Sequence, residues 1–235
     1  MAPEHYKEYE HILVAVDCII FGFHKNELKL LLIKRDFEPE KGKWSLMGGF
    51  LDDDESLDEA AQRILKTLTG LHDIYLDQLH SFGDVDRDPV ERTISVAYYA
   101  LIDVETHDKE LLKQHSASWF PIHSVPELIF DHEEMVLSAL KRLRRKASHQ
   151  PVGFELLPEK FTLPELQKLY ESIYDTNLDK RNFRRRILSM DVLEKTEEKQ
   201  KTNSRKGAFL YRFDPKKYSR KVNNGDSLIF KTLKP

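Results

Sequence analysis

The chain has 235 residues, 40% of them hydrophobic and 33% charged, with a net charge of −3. That length supports a sizeable core in one or two domains, and that balance excludes a disordered or membrane-embedded chain. The single cysteine, Cys18, excludes an internal disulfide, and the N-terminal MAPEHYKEYEH lacks a secretion signal, so a reducing cytoplasm is expected. In chain order, HILVAVDCIIFGF and ELKLLLIKR predict two strands of an antiparallel hairpin turning at His24-Lys25-Asn26. The first is the longest apolar run, but Asp17 breaks it and it is too short to span a bilayer, so no membrane partner is expected. Residues 55–69 place Leu57, Ala60, Ala61, Ile64, Leu65 and Leu68 at helical period, and Gly70 follows as a C-cap. RTISVAYYALIDV predicts another buried strand and ASWFPI a shorter one. Asp131 to Lys146 predicts a helix, with Asp131 and Glu134 as a capping box and KRLRRK filling the last turn. Strands with two amphipathic helices point to an α/β/α sandwich over residues 1–147. KASHQPVGFELLPEKF then reads as a linker, residues 148–160, by its two prolines and lack of period.

Residues 48–71, GGFLDDDESLDEAAQRILKTLTGL, carry a frame of Gly49, Glu55, Arg63 and Gly70-Leu71. Together with the preceding WSLM, this stretch resembles the loop-helix motif of the Nudix family, G-x5-E-x7-R-E-U-x-E-E-x-G-U with U apolar. The resemblance extends over roughly residues 10–147. In active Nudix enzymes the box glutamates coordinate Mg²⁺, which bridges a diphosphate and helps activate water. Here those positions are Ile64, Thr67 and Leu68, while Glu55 and Arg63, which pair in the family to hold the loop against the helix, are kept. The resemblance therefore implies a Nudix scaffold that is not an enzyme, with no catalytic residue, metal or cofactor. The alternative is an active hydrolase of ADP-ribose or another nucleoside diphosphate derivative, with a relocated metal site drawn from Asp52, Asp53, Asp54, Asp58 and Glu59.

The charge is unevenly divided. Residues 1–150 carry 18 Lys and Arg against 28 Asp and Glu, whereas residues 151–235 carry 19 against 12. A basic module on an acidic one points to a nucleic-acid partner for the basic half, the plain alternative being a solvated basic face. FTLPELQKLYESIYDTNLDKRNFRRRILSM predicts two short helices joined by a turn. The first is capped by Thr162 and Glu165 and buries Leu163, Leu166, Leu169, Tyr170 and Ile173. The second is capped by Asp179 and buries Phe183, Ile187 and Met190. Lys180, Arg181, Asn182, Arg184 and Arg185 remain for its outer faces, where a recognition helix meets base edges and phosphates. VLEKT and AFLYRF predict the strands of a wing, Phe209, Tyr211 and Phe213 sharing one face. The basic loop between them, with Lys199, Lys201, Arg205 and Lys206, suits phosphate contacts. Residues 161–235 thus read as a winged helix-turn-helix that binds duplex DNA.

A degenerate Nudix domain followed by a winged helix-turn-helix resembles the Nudix-related transcriptional regulators, now over nearly the whole chain. Within that family VDCIIFGF, WSLMGGF, DRDP-V-ER, SVAYYALI, LIFDH and DKRNFRRR look most like the arabinose-responsive members. The resemblance implies a homodimeric repressor of pentose utilisation genes, released from operator DNA when L-arabinose binds the Nudix half. ADP-ribose is the alternative effector. Candidate effector-binding residues are Asp17, Arg35, Trp44, Asp86, Arg87 and Arg92. A buried Asp17 needs a partner, and reflecting the hairpin about Asn26 sets it opposite Arg35, as an ion pair or as part of a pocket.

Overall fold

The computed structural model describes residues 10–104, 117–200 and 207–224, apart from the side chain of Glu155. β1 (Leu13–His24) is the spine of the first sheet. It pairs parallel to β6 (Thr93–Asp103) along nearly its whole length, from Leu13 opposite Thr93 to Phe23 opposite Asp103. Its other edge is shared: residues 15–18 pair with β4 (Met47–Phe50) and residues 21–24 with β2 (Glu27–Lys34). β3 (Trp44–Ser45) and β7 (Ala117–Pro121) flank β2, and β5 (Asp77–Phe82) flanks β6. A central strand covered on both faces is apolar on both, which is why β1, apart from Asp17, reads as a run rather than an alternation. The hairpin turn is the two residues Lys25 and Asn26, at φ 51° and 64°, the left-handed pair that matches strand twist.

Successive β1 side chains enter two different cores. Val16, Cys18 and Ile20 pack with Ala60, Ala61, Ile64 and Leu65 of α1 (Leu57–Thr69). Ile19, Phe21 and Phe23 pack with Met135, Ala139, Leu140 and Leu143 of α2 (His132–His149). The result is the expected α/β/α sandwich. Cys18 is fully buried, and burial, reinforced by Asp17, pushes its thiol pKa up, so it serves as a small hydrophobe. α1 is capped by Ser56 with Glu59 and stops at Gly70, whose φ of 77° suits glycine. The expected Asp131–Glu134 capping box does not form: no side-chain cap bond closes α2, because the Asp131 carboxylate is bound by Arg87 instead.

The second half is a winged helix. β8 (Phe161–Thr162), β10 (Ala208–Phe213) and β9 (Leu193–Gln200) form its sheet in that spatial order. α3 (Leu163–Tyr174) and α4 (Lys180–Ser189) form its helical hairpin, and α5 (Pro215–Asn223) follows the wing. Thr162 and Glu165 make the expected reciprocal cap, and Asp179 accepts from the Asn182 amide. The wing strand runs further than expected, so Lys199 lies on β9 rather than in a loop, its ammonium 4.5 Å from the Phe209 ring centroid. Lys201, Arg205 and Lys206 lie outside the described residues.

The two halves meet in one continuous core, in which Leu166, Leu169 and Tyr170 join Phe21 and Leu30. Val152, Leu156 and Leu157 between them are buried. Arg144 on α2 donates to the Ile173 carbonyl at 2.7 Å, and Ser172 donates to the Asn26 carbonyl at 3.1 Å. Among the described residues no helix is long and apolar enough to cross a membrane.

Candidate effector pocket and nucleic-acid interface

The Nudix-like loop is held as its retained residues imply. Arg63 Nε donates to Glu55 at 2.8 Å, its Nη2 donates to the Phe50 carbonyl at 2.9 Å, and the Asp52 amide donates to Glu55 at 2.9 Å. The hydrogen bond from Arg63, then the one from the Asp52 amide, hold the Glu55 pKa down at about 2. Where the motif would supply metal-binding oxygens, the chemistry differs. Ile64 packs against Gly49, where an added Cβ would come within 3.0 Å of its side chain. Thr67 is exposed and Leu68 rests on the α1-side core. Three of the five neighbouring acids are engaged elsewhere: Asp58 accepts from Tyr98 Oη at 2.6 Å, Glu59 caps α1, and Asp52 lies 3.3 Å from Arg63 Nη2. Among the described residues no group of three His, Cys, Asp or Glu could hold a metal ion. These donors do not fit the hard, oxygen-bound cation of a Nudix hydrolase.

A cavity of about 70 Å³ opens between β1, the β4 glycines and the start of α2. Its floor is a buried polar network. Ser95 Oγ donates to Asp17 Oδ2 at 2.5 Å, and Arg87 lies 3.9 Å from the same oxygen. Arg87 also binds Asp131 through both ends of its guanidinium, at 2.8 and 2.7 Å. The Leu46 amide donates to His132 Nδ1 at 3.1 Å. An amide can only donate, so Nδ1 carries a lone pair and the ring hydrogen sits on Nε2, 3.6 Å from Asp17 Oδ1. Burial pushes the His132 pKa below its ordinary 6.5, against the upward pull of Asp17 and Asp131. Gly48 makes room for Asp17, since a Cβ there would collide with Oδ1.

Of the expected effector residues, the structure brings Asp17, Arg35 and Arg87 to this cavity. It separates the other three. Trp44 packs edge-on against Phe120 at 4.7 Å, Asp86 is exposed outside the lining, and Arg92 donates to the Gly83 and Asp84 carbonyls. Asp17 and Arg35 line one cavity but are not strand partners. β1 has changed partner by then, so Asp17 faces Gly48 and Ala97, and the true turn shifts the reflection by one residue. Ser45, Ser95, Asp131 and His132 were missed. All four fall in motifs quoted from the sequence, WSLMGGF, SVAYYALI and LIFDH, but nothing there singled them out, and Asp131 reads equally well as a helix cap.

In the winged helix, Phe183 and Ile187 bury one side of α4, with Phe183 5.6 Å from the Tyr170 ring centroid. Lys180, Arg181, Asn182, Arg184 and Arg185 are all exposed on the remaining faces. Asn182 accepts from Arg185 at 3.0 Å, whereas Lys180, Arg181 and Arg184 form no ion pair among the described residues. Beside them on the wing, Lys195 lies 3.6 Å from the Phe209 ring centroid.

Residues 11–139 match the model of the NUDIX domain, and residues 153–213 match that of the NrtR DNA-binding winged helix domain. A curated relative from Acinetobacter baylyi, the ADPR responsive transcriptional repressor NtrR, is 36% identical over 88% of this chain and 84% of its own. The chain belongs to the NrtR family. Shewanella oneidensis NrtR, solved in complex with a 27mer DNA, is 34% identical with a TM-score of 0.78, over 88% of this chain and 95% of that one. The NUDIX domain of the same Shewanella protein, solved with ADP ribose, is 31% identical with a TM-score of 0.53, over 61% of this chain and 99% of that one. An NrtR-type architecture accounts for both features the sequence left in tension, the kept Nudix scaffold and the basic C-terminal module.

Proposed function

We propose that this NrtR-family protein is a transcriptional repressor that senses ADP-ribose. In this reading α4 and the wing bind operator DNA, and the open face of the Nudix half around the small cavity beside Asp17 takes the effector without hydrolysing it. The observation that carries the reading is the pairing, in one chain, of a Nudix motif with Ile64, Thr67 and Leu68 at its box-glutamate positions and an exposed helix whose Lys180, Arg181 and Arg184 form no ion pair among the described residues. Positive side chains beside base-reading positions suit a duplex, and a homodimer would place two such helices on a two-fold site. The Acinetobacter repressor and the Shewanella NUDIX domain solved with ADP ribose support ADP-ribose over the L-arabinose expected from sequence. The cavity agrees, because Phe37, Phe50 and Phe130 offer aromatic faces and Arg35 a guanidinium. Those groups suit a nucleobase and a diphosphate better than a neutral pentose.

The test combines a mobility shift with a product assay. ADP-ribose should release the protein from the duplex upstream of its own gene, L-arabinose should leave the complex intact, and magnesium should yield no AMP. Magnesium-dependent AMP release at ordinary enzyme rates of about 1–1000 per second, abolished by neutralising Asp52 to Asp54, would make the protein a hydrolase instead.

A further inference from the structure

The second half of α2 carries more positive charge than its place in the fold requires. Lys141, Arg142, Arg144, Arg145 and Lys146 follow closely, although residues 1–150 hold 28 acids against 18 Lys and Arg. Cations near a helix C-terminus complement its dipole, but that effect fades within the last turn. α2 runs to His149, and Arg142 stands nearly two turns before that end. Some of these groups are spent: Arg144 donates to the Ile173 carbonyl and Lys146 to Asp77, each at 2.7 Å. Arg142 uses its Nη2 on the Leu79 carbonyl, at 3.2 Å. Arg145 differs. It is exposed, and its guanidinium meets no acceptor among the described residues. Arg142 and Arg145 line a cavity of about 420 Å³ between α2 and β5, with Gln78 and Gln150 beside them. The one carboxylate in that lining, Asp77, is already bound by Lys146. Gln150 turns its Oε1 to the Tyr218 hydroxyl, 3.4 Å away, which leaves its amide hydrogens for the cavity.

We infer that this concavity is a second ligand site, one that takes a phosphate group carried by a small molecule or by the DNA backbone. Guanidiniums match phosphate oxygens in charge and in geometry, and the two glutamine amides add donors beside them. A phosphate has three strong acceptor oxygens to share among these four side chains, where a carboxylate has two. The site is separate from the effector cavity, because no residue lines both. It lies where α2 gives way to the segment before the winged helix, and Gln150 ties it to α5 through Tyr218. An occupant would therefore touch both halves of the chain.

Pyrophosphate and duplex DNA are the probes for the two sources, both on the full chain. If a small molecule is the source, calorimetry should find pyrophosphate bound in EDTA even with ADP-ribose saturating. Arg145→Gln should then weaken pyrophosphate about 10- to 100-fold and change ADP-ribose by less than about 2-fold. If the backbone is the source, Arg145→Gln should lower the slope of log affinity against log salt for the upstream duplex by about 0.9. Lys141→Gln removes a charge one turn away, outside the lining, and should leave the responding arm nearly unchanged. The inference is overturned if pyrophosphate does not bind and Arg145→Gln leaves the duplex slope as it was. It is equally overturned if Lys141→Gln matches Arg145→Gln in the arm that responds, since the effect would then be net charge alone. Failure of ADP-ribose to bind would sink the effector reading by itself, and the two phosphate arms would still decide this one.

Discussion

At the scale of single residues, His132 makes the clearest claim. Its Nδ1 accepts the Leu46 amide, so the ring can gain a proton only by giving up that bond in a buried place. The folded pKa lies below the unfolded value of 6.5. As pH falls through 6.5, the unfolded chain therefore binds a proton that the folded chain refuses, and stability drops until the folded pKa is reached. The slope from this one group is at most about 1.4 kcal/mol per pH unit. Glu55 contributes elsewhere. Its folded pKa of about 2 is below the unfolded 4.5, so its stabilisation is present above 4.5 and is lost between the two values. Urea unfolding at pH 7 and pH 5.5 separates the two windows. The His132→Asn variant, whose amide oxygen can still accept from Leu46, should lose less stability over that interval than the parent. Equal losses would show that His132 does not set the slope.

At the scale of elements, α4 shows what a local pattern can reveal. Asp179 as cap, Phe183 and Ile187 as the buried side, and Arg184 on the outside are all readable within about ten residues, because a helix is a short-range object. Arg184→Ala should accordingly cost about 1–3 kcal/mol in operator binding and relax preference at a single base pair. A uniform loss on every duplex, specific or not, would move Arg184 to the phosphates. The same legibility held for α1, for α3 with its Thr162–Glu165 cap, and for the Glu55–Arg63 loop lock. It failed for β4, which is short, for β5, whose DQLHSF has only two buried residues and no clean alternation, and for α5. It failed again for the change of partner along β1, because pairing between Asp17 and Gly48 or Ala97 depends on contacts 31 and 80 residues apart. The pocket suffered for the same reason. Asp17 is conspicuous in an apolar strand, but Ser95, Arg87 and His132 become its neighbours only when β6, the loop after β5 and the start of α2 converge.

At the scale of the whole molecule, α2 is, among the described helices, the one that reaches from the cavity beside Asp17 to the winged helix. Its first turn meets the pocket through Asp131 and His132, and its last turns meet the winged helix, where Arg144 donates to the Ile173 carbonyl of α3. An α-helix of 18 residues spans about 27 Å at 1.5 Å per residue, and it is stiff enough to carry a displacement between its ends. A ligand that draws Arg87 or Asp17 would bear on Asp131 and His132, and a small rotation of α2 would shift the winged helix against DNA, or, in the proposed dimer, the spacing of two of them. If ADP-ribose releases the operator through this route, the coupling must be reciprocal. Saturating ADP-ribose should weaken operator binding by about 5- to 150-fold, and saturating operator should weaken ADP-ribose by the same factor. Arg144→Met should shrink both factors together while leaving the affinity for each ligand alone close to that of the parent. Fluorescence anisotropy with labelled operator and calorimetry with ADP-ribose measure the two arms independently. If the variant kept the full factor in both arms, the signal would pass through the shared apolar core or through the direct contact of α3 with the β1–β2 hairpin, where Ser172 meets Asn26. That contact lies at the far end of β1 from Asp17, so the strand rather than the helix would then be the moving part.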